Sequence, residues 1–285
     1  VGVDPAFGMT VKTTSLGDLP RTSIGQPDPI VLPDPSTLFA RRAARLHVLA
    51  VEHPMGDWLR FLAMVACAQN ATSASSGSDD AFFAQAMAHF AAIGVDPSVP
   101  DAARDVLAGL ASLDTASLAT AWLDGAMPAR RAGEAVFVAA ALQVLFTRRA
   151  SALDVTQLRL SPQRGLCPVC QSPPVAGMVT AAGKAPGARY LHCGLCATAW
   201  NFVRVACTGC GESKGLALQE VEGGTGAVKA ETCDACQGYA KMFYQAKDMA
   251  IEPLADDLAS LGLDLMVSDA GWSRLSPNPL VPVAG

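Results

Sequence analysis

The chain has 285 residues, a net charge of −5 and 51% hydrophobic residues, enough length for one large domain or two to three small ones. Its charged fraction is 16%, and its most apolar run, "AVFVAAALQVLF" at 135–146, falls well short of the roughly 20 residues a membrane span needs. The cysteine-bearing region 160–250 holds 8 Lys/Arg against 6 Asp/Glu, a net of +2, far below the electrostatic footprint of a nucleic-acid binder.

In chain order, residues 1–35 are rich in Pro and Gly and read as an extended arm that is either disordered or draped over a partner domain. No apolar segment with basic flanks lies in this stretch, so no secretory signal is expected. A helical domain is expected over 36–160. Its first helix opens at "STLFARRAARLHVLA" with Ser36 as N-cap, and it carries an arginine stripe of Arg41, Arg42 and Arg45. That stripe reads as a solvated face; docking on an acidic partner is the sharper alternative. Trp58, Phe61, Leu62 and Val65 form the buried stripe of a second helix. The lone Cys67 on that helix reads as a small core residue, and His47, His53 and His89 as ordinary helix residues. After a polar loop, "ATSASSGSDD", helices follow near 81–93, 101–111, 115–126 and 131–149.

Composition changes at "LSPQRGLCPVC", where short alternating runs such as "WNFVRVA" read as strands. Two modules are expected, 161–206 and 207–250, and a C-terminal helix and tail over 251–285. In that last helix Leu254, Leu258, Leu261 and Leu265 make an apolar stripe, and Asp256, Asp257 and Asp264 an acidic face.

Eight of the nine cysteines form four Cys-x-x-Cys pairs: Cys167/Cys170, Cys193/Cys196, Cys207/Cys210 and Cys233/Cys236. Cys167 to Cys207 and Cys193 to Cys233 are both 40 positions, an internal repeat of one pair, a ribbon and a second pair. In such a knuckle both sulfurs can face one centre, and two facing knuckles complete a tetrahedral four-sulfur site. The repeat favours pairing the first knuckle with the second and the third with the fourth; first with third is the alternative. Four thiolates suit zinc and equally a single iron. With eight sulfurs filling two sites, His192 is expected either beside a centre or exposed, and not as a ligand. Trp200, Phe202, Tyr239, Phe243 and Tyr244 read as the small hydrophobic cores of the ribbons. The pairs without a secretory signal point to metal in a reducing compartment, the cytoplasm. No catalytic constellation emerges, so the chain reads as a binding protein and not an enzyme.

"LPDPSTLFARRAARLHVLA", "HPMGDWLRFLA", "CPVCQSPPVAG", "RYLHCGLCATAWNFVRVACTGC", "AETCDACQGYAKMFYQ" and "EPLADDLASLGLDLM", in this order, resemble the formate dehydrogenase accessory protein FdhE family. The resemblance runs from about Leu32 to about Trp272. It implies an α+β fold: an all-α N-terminal domain, two tandem rubredoxin-like or zinc-ribbon modules and a C-terminal helix. It implies a cytoplasmic assembly factor whose partner is the catalytic subunit of a respiratory formate dehydrogenase. It also implies iron, with zinc as the alternative, at Cys167, Cys170, Cys193, Cys196, Cys207, Cys210, Cys233 and Cys236. On that reading the acidic face of the last helix would attract the basic part of an export peptide. A redox role for the iron sites stays open. The alternatives are a rubredoxin-like electron-transfer protein and a zinc-ribbon nucleic-acid-binding protein. Nothing in the sequence fixes the oligomeric state.

Overall fold

A computed structural model describes residues 10–15 and 25–282. It is a mixed α+β fold of two compact units, a helical unit built mainly on Leu32–Leu153 and a sheet unit built mainly on residues 154–277 with the described part of the arm.

The helical unit holds six α-helices: α1 Leu38–Leu49, α2 Gly56–Ser73, α3 Asp79–Ile93, α4 Asp101–Gly109, α5 Thr115–Leu123 and α6 Ala132–Ser151. α6 is buried along most of its length, from Val136 to Leu145, as expected of the alanine-rich run around which the other helices pack. Phe61 and Phe90 both meet Phe137 of α6, with ring centroids 6.2 and 6.0 Å away. Gln69 crosses this core by donating to the Ala140 carbonyl and to Gln143 Oε1, both at 2.9 Å. Thr72 and His89 Nδ1 lie 2.8 Å apart, so His89 is tied into the α2–α3 packing.

Three expectations for this unit change. Asp34, not Ser36, organises the start of α1, accepting from the Ser36 amide and hydroxyl and from the Thr37 hydroxyl. The arginine stripe is broken, because Arg42 is 3% exposed and stacks over Phe39, while Arg41 faces solvent. Cys67 is exposed and not a core residue.

Among the described residues the sheet unit holds nine strands: β1 Val11–Ser15, β2 Ile30–Val31, β3 Pro174–Val179, β4 Arg189–Cys193, β5 Ala199–Phe202, β6 Leu216–Val221, β7 Val228–Cys233, β8 Gly238–Tyr244 and β9 Ser273–Arg274. Two short helices follow the cysteine region, α7 Pro253–Ala259 and α8 Leu261–Asp269. β3–β4–β5 and β6–β7–β8 are antiparallel meanders, one per forty-residue repeat. They join through a parallel pairing of β3 with β8, in which Gly177, Met178 and Val179 lie opposite Met242, Phe243 and Tyr244. The resulting order is β1-β6-β7-β8-β3-β4-β5-β2, with β9 beside β8. The two described pieces of the arm therefore pair with the outer strand of each meander, β1 on β6 and β2 on β5. The remainder of the expected arm lies outside the described residues.

The C-terminal stripe also differs from expectation. Leu254 and Leu258 are buried, but the helix breaks at Ser260, and Leu263, Met266 and Val267 then take the inward positions while Leu265 is 58% exposed. The cause is Lys241 of β8. Its ammonium donates to the Asp257 carbonyl at 2.8 Å and to Ser260 Oγ at 3.0 Å, which ends α7 at its negative pole.

Candidate metal centres

Strand register brings the knuckles together. In the first meander Pro174, just after the Cys167/Cys170 knuckle, lies opposite Cys193 at the end of β4. In the second, Leu216 lies opposite Cys233 at the end of β7. Each meander thus closes two knuckles onto one point. Sulfur atoms of Cys167, Cys170, Cys193 and Cys196 lie within 4.8 Å of one another, and so do those of Cys207, Cys210, Cys233 and Cys236. The tandem pairing is the one observed, and the crossed arrangement is not.

The knuckles repeat one backbone shape. The residue after the second cysteine has a positive φ in all four: Gln171 (62°), Ala197 (57°), Gly211 (77°) and Gln237 (54°). Three of these are not glycine, and left-handed backbone costs such residues roughly 1 kcal/mol or more. The turn closes by short bonds in return. Gln171 N–H donates to the Cys167 carbonyl and Gly211 N–H to the Cys207 carbonyl, each at 3.0 Å, and Gln237 N–H donates to the Cys233 carbonyl at 2.9 Å. Amides also point at sulfur, that of Val169 at Cys167 (3.5 Å) and those of Gly209 and Cys210 at Cys207.

The donor set fits a tetrahedral ion. A metal–sulfur bond of about 2.3 Å implies sulfur–sulfur edges of about 3.8 Å. Cys207–Cys236 and Cys210–Cys233 are 3.7 Å apart and Cys170–Cys193 3.4 Å, far beyond the roughly 2.05 Å of a disulfide. Without a cation, burial pushes the Cys207 thiol up to about 12, whereas the amide of Glu212 draws Cys210 below its ordinary range. A bound cation would hold all four as thiolates. His192 is not among the residues of the first cluster.

Close packing supports the second centre. A Cβ on Gly209 would sit 2.8 Å from the Leu275 side chain, and one on Gly238 would sit 2.6 Å from it. Leu275 thus lies against both knuckles, and a side chain at either glycine would force it to shift. Four of the five aromatic residues are core, as expected: Trp200, Phe202, Tyr239 and Phe243 are buried, and Trp200 Nε1 donates to the Arg164 carbonyl, whereas Tyr244 is half-buried.

Two buried ionic groups support the sheet. Arg189 of β4 forms a bidentate pair with Glu231 of β7, at 2.9 and 3.1 Å, and also donates to Thr208 Oγ1 at 2.8 Å. Burial pushes the Glu231 carboxyl above its usual range, and Arg189 pulls it back part of the way. Beneath α7 and α8, Lys241 reaches Asp257 (3.2 Å) and Asp264 (2.5 Å), and Arg274 pairs with the same two carboxylates. Asp256, Asp257 and Asp264 are 4%, 0% and 9% exposed, so the expected acidic docking face does not exist.

Three family models together match nearly the whole chain: "FdhE, N-terminal" over 27–89 and 73–162, "FdhE, central domain" over 166–204 and "FdhE, C-terminal domain" over 205–281. The chain belongs to the FdhE family. A protein FdhE homolog of Edwardsiella ictaluri is 36% identical, over 91% of this chain and 93% of its own. Protein FdhE of Escherichia coli is 33% identical, over 95% and 96% respectively. The crystal structure of the FdhE protein from Pseudomonas aeruginosa superposes with a TM-score of 0.79 at 33% identity, covering 90% of this chain and all of that one. That likeness supports for this FdhE-family chain the expected order of a helical region, then a mixed α+β sheet unit with two four-cysteine modules. Among the described residues no helix is long and apolar enough to cross a membrane.

Proposed function

We propose that this FdhE-family chain is a cytoplasmic assembly factor that binds the catalytic subunit of a respiratory formate dehydrogenase before export. Both four-cysteine clusters hold metal on this reading, with Cys167, Cys170, Cys193 and Cys196 as ligands of one ion and Cys207, Cys210, Cys233 and Cys236 of the other. Iron is favoured by the family resemblance, and zinc is the alternative. The observation that carries the reading is the pair of closed four-sulfur clusters inside one continuous sheet, in a chain that matches the family along nearly its whole length. Two ions would fix four turns at the ends of that sheet and so give a client a rigid surface.

The test is co-purification of the chain with candidate formate dehydrogenase catalytic subunits, with metal content measured on the same sample. Capture of a catalytic subunit that weakens on Cys193→Ala or Cys233→Ala supports the reading. Undiminished capture by a metal-free, folded variant opposes it. A rubredoxin-like electron-transfer role is the second reading: the amides aimed at Cys207 would stabilise a thiolate bound to either ion, and iron there would add a redox step. A reversible bleaching of a visible absorption band on reduction would support it.

A further inference from the structure

The two centres share a ligand set but not an environment. In the first, Cys167, Cys193 and Cys196 are buried and Cys170 is half-buried. In the second, Cys207 and Cys233 sit in an apolar cluster with Leu216 and Leu218, whereas Cys210 and Cys236 are exposed. The open half is thus the second cysteine of each knuckle. Beside Cys210 lies a cleft of about 630 Å³ whose walls include Pro162, Pro173, Pro174, Phe202 and Leu275, and whose lining includes Cys207–Gly211. The cleft is kept close to the knuckle by a backbone approach, since a Cβ on Gly165 would lie 2.3 Å from the Thr208 carbonyl oxygen.

Exchange at a four-sulfur ion requires an incoming donor to reach the metal while one thiolate departs. At a buried centre the surrounding strands must first open, and that opening costs free energy; at an exposed thiolate no such step is needed. We propose that the second centre is the exchangeable one. It gives its ion to, and takes it from, a small soft-donor ligand of the thiol class that enters by the cleft beside Cys210, while the first centre keeps its ion. The inference rests on the reading that both clusters bind metal. In the exchange step the incoming thiol loses its proton as its sulfur bonds the ion. The bond from the ion to Cys210 would break and its sulfur take up a proton, and the same proton-balanced substitution at Cys236, then at Cys207 and Cys233, would complete the transfer. No electron moves.

The full chain loaded with zinc alone serves as probe. Native mass spectrometry counts the ions, and a zinc-responsive dye follows release to excess EDTA. Pulse alkylation with peptide mapping shows which cysteines react first. The expected result is two ions per chain and two phases whose rates differ about tenfold or more, with Cys210 and Cys236 alkylated in the fast one. Cys210→Ser should speed only the fast phase, and Cys170→Ser only the slow one. Release of both ions at one rate, or earlier alkylation of Cys170 and Cys196, overturns the inference and leaves two-metal binding intact. A folded chain that takes up no zinc or iron overturns the metal reading itself, a result seen in the mass count before any rate is measured.

Discussion

Arg189 and Glu231 form a buried bidentate pair that links the two cysteine modules, one residue from the middle strand of each meander. Their side chains are 1% and 3% exposed. Arg189 also stacks on Phe202, 5.0 Å from the ring, and donates to the Ala206 carbonyl just before the second module's first knuckle. Removing one partner strands the other charge. Glu231→Gln or Arg189→Met should therefore destabilise the sheet unit by about 3–5 kcal/mol, read by denaturant unfolding. The double change Glu231→Met with Arg189→Met should cost less than the sum of those two changes made singly.

Lys241 should behave similarly for a different reason. Lys241→Met removes the cation that caps α7 and takes one of the two cations paired with Asp257 and Asp264, while Arg274 and the Tyr239 hydroxyl bond to Asp264 stay. Hydrogen exchange should then rise in Pro253–Asp269 before it rises in the meanders, with a stability loss of about 3–5 kcal/mol.

The left-handed positions give a prediction at the knuckles. Gln171→Val and Gln237→Val place a β-branched residue where φ is 62° and 54°. Each should weaken zinc retention at its own centre and leave the other unchanged, whereas Gln171→Gly and Gln237→Gly should retain it. Native mass spectrometry after a fixed exposure to chelator reads the difference.

Acid stability of the helical unit should depend on Asp34 and Asp114. Hydrogen bonds from Ser36 and Thr37 hold the Asp34 carboxyl below its usual 3.8, and those from Ser117 do the same for Asp114. A carboxyl with a depressed folded pKa contributes stability that is present above the unfolded value and is lost as pH falls through the folded one. Asp34→Asn and Asp114→Asn should flatten the fall in helical circular dichroism below pH 3.8, and the variants should converge with the parent at the lowest pH.

Metal removal should separate the two units. On the proposed metal reading, the four-sulfur clusters would lose what holds the turns once chelated, and amides of β3–β8 should exchange faster, while those of α2 and α6, whose cores contain no cysteine cluster, should stay protected.

Much of this was legible in the residues. Cysteine spacing carried both clusters, because Cys-x-x-Cys turns have few ways to face one another and the forty-residue repeat ranked them. Helices followed from periodicity with ends shifted by a few residues. What escaped depended on partners distant in sequence. Asp257 and Asp264 look like a solvated face until Lys241 and Arg274 are brought beneath them by β8 and β9. Lys241 itself sits in "YAKMFY" at a position indistinguishable from an outward polar residue. Arg42 resembled its neighbour Arg41 but meets Phe39 and Gln143. The parallel pairing of β3 with β8 had no signal, since alternation marks a strand and not its neighbour.

That pairing has a consequence for how the molecule is made. β3 ends at Val179 and its partner β8 at Tyr244, so the seam cannot close until about sixty-five more residues have left the ribosome. Each meander, by contrast, is built of near neighbours and can gather its four sulfurs as it emerges. Until translation passes Tyr244, β3 has one side without its final neighbour, and this nascent interval is when the half-built plate is most open to wrong strand partners.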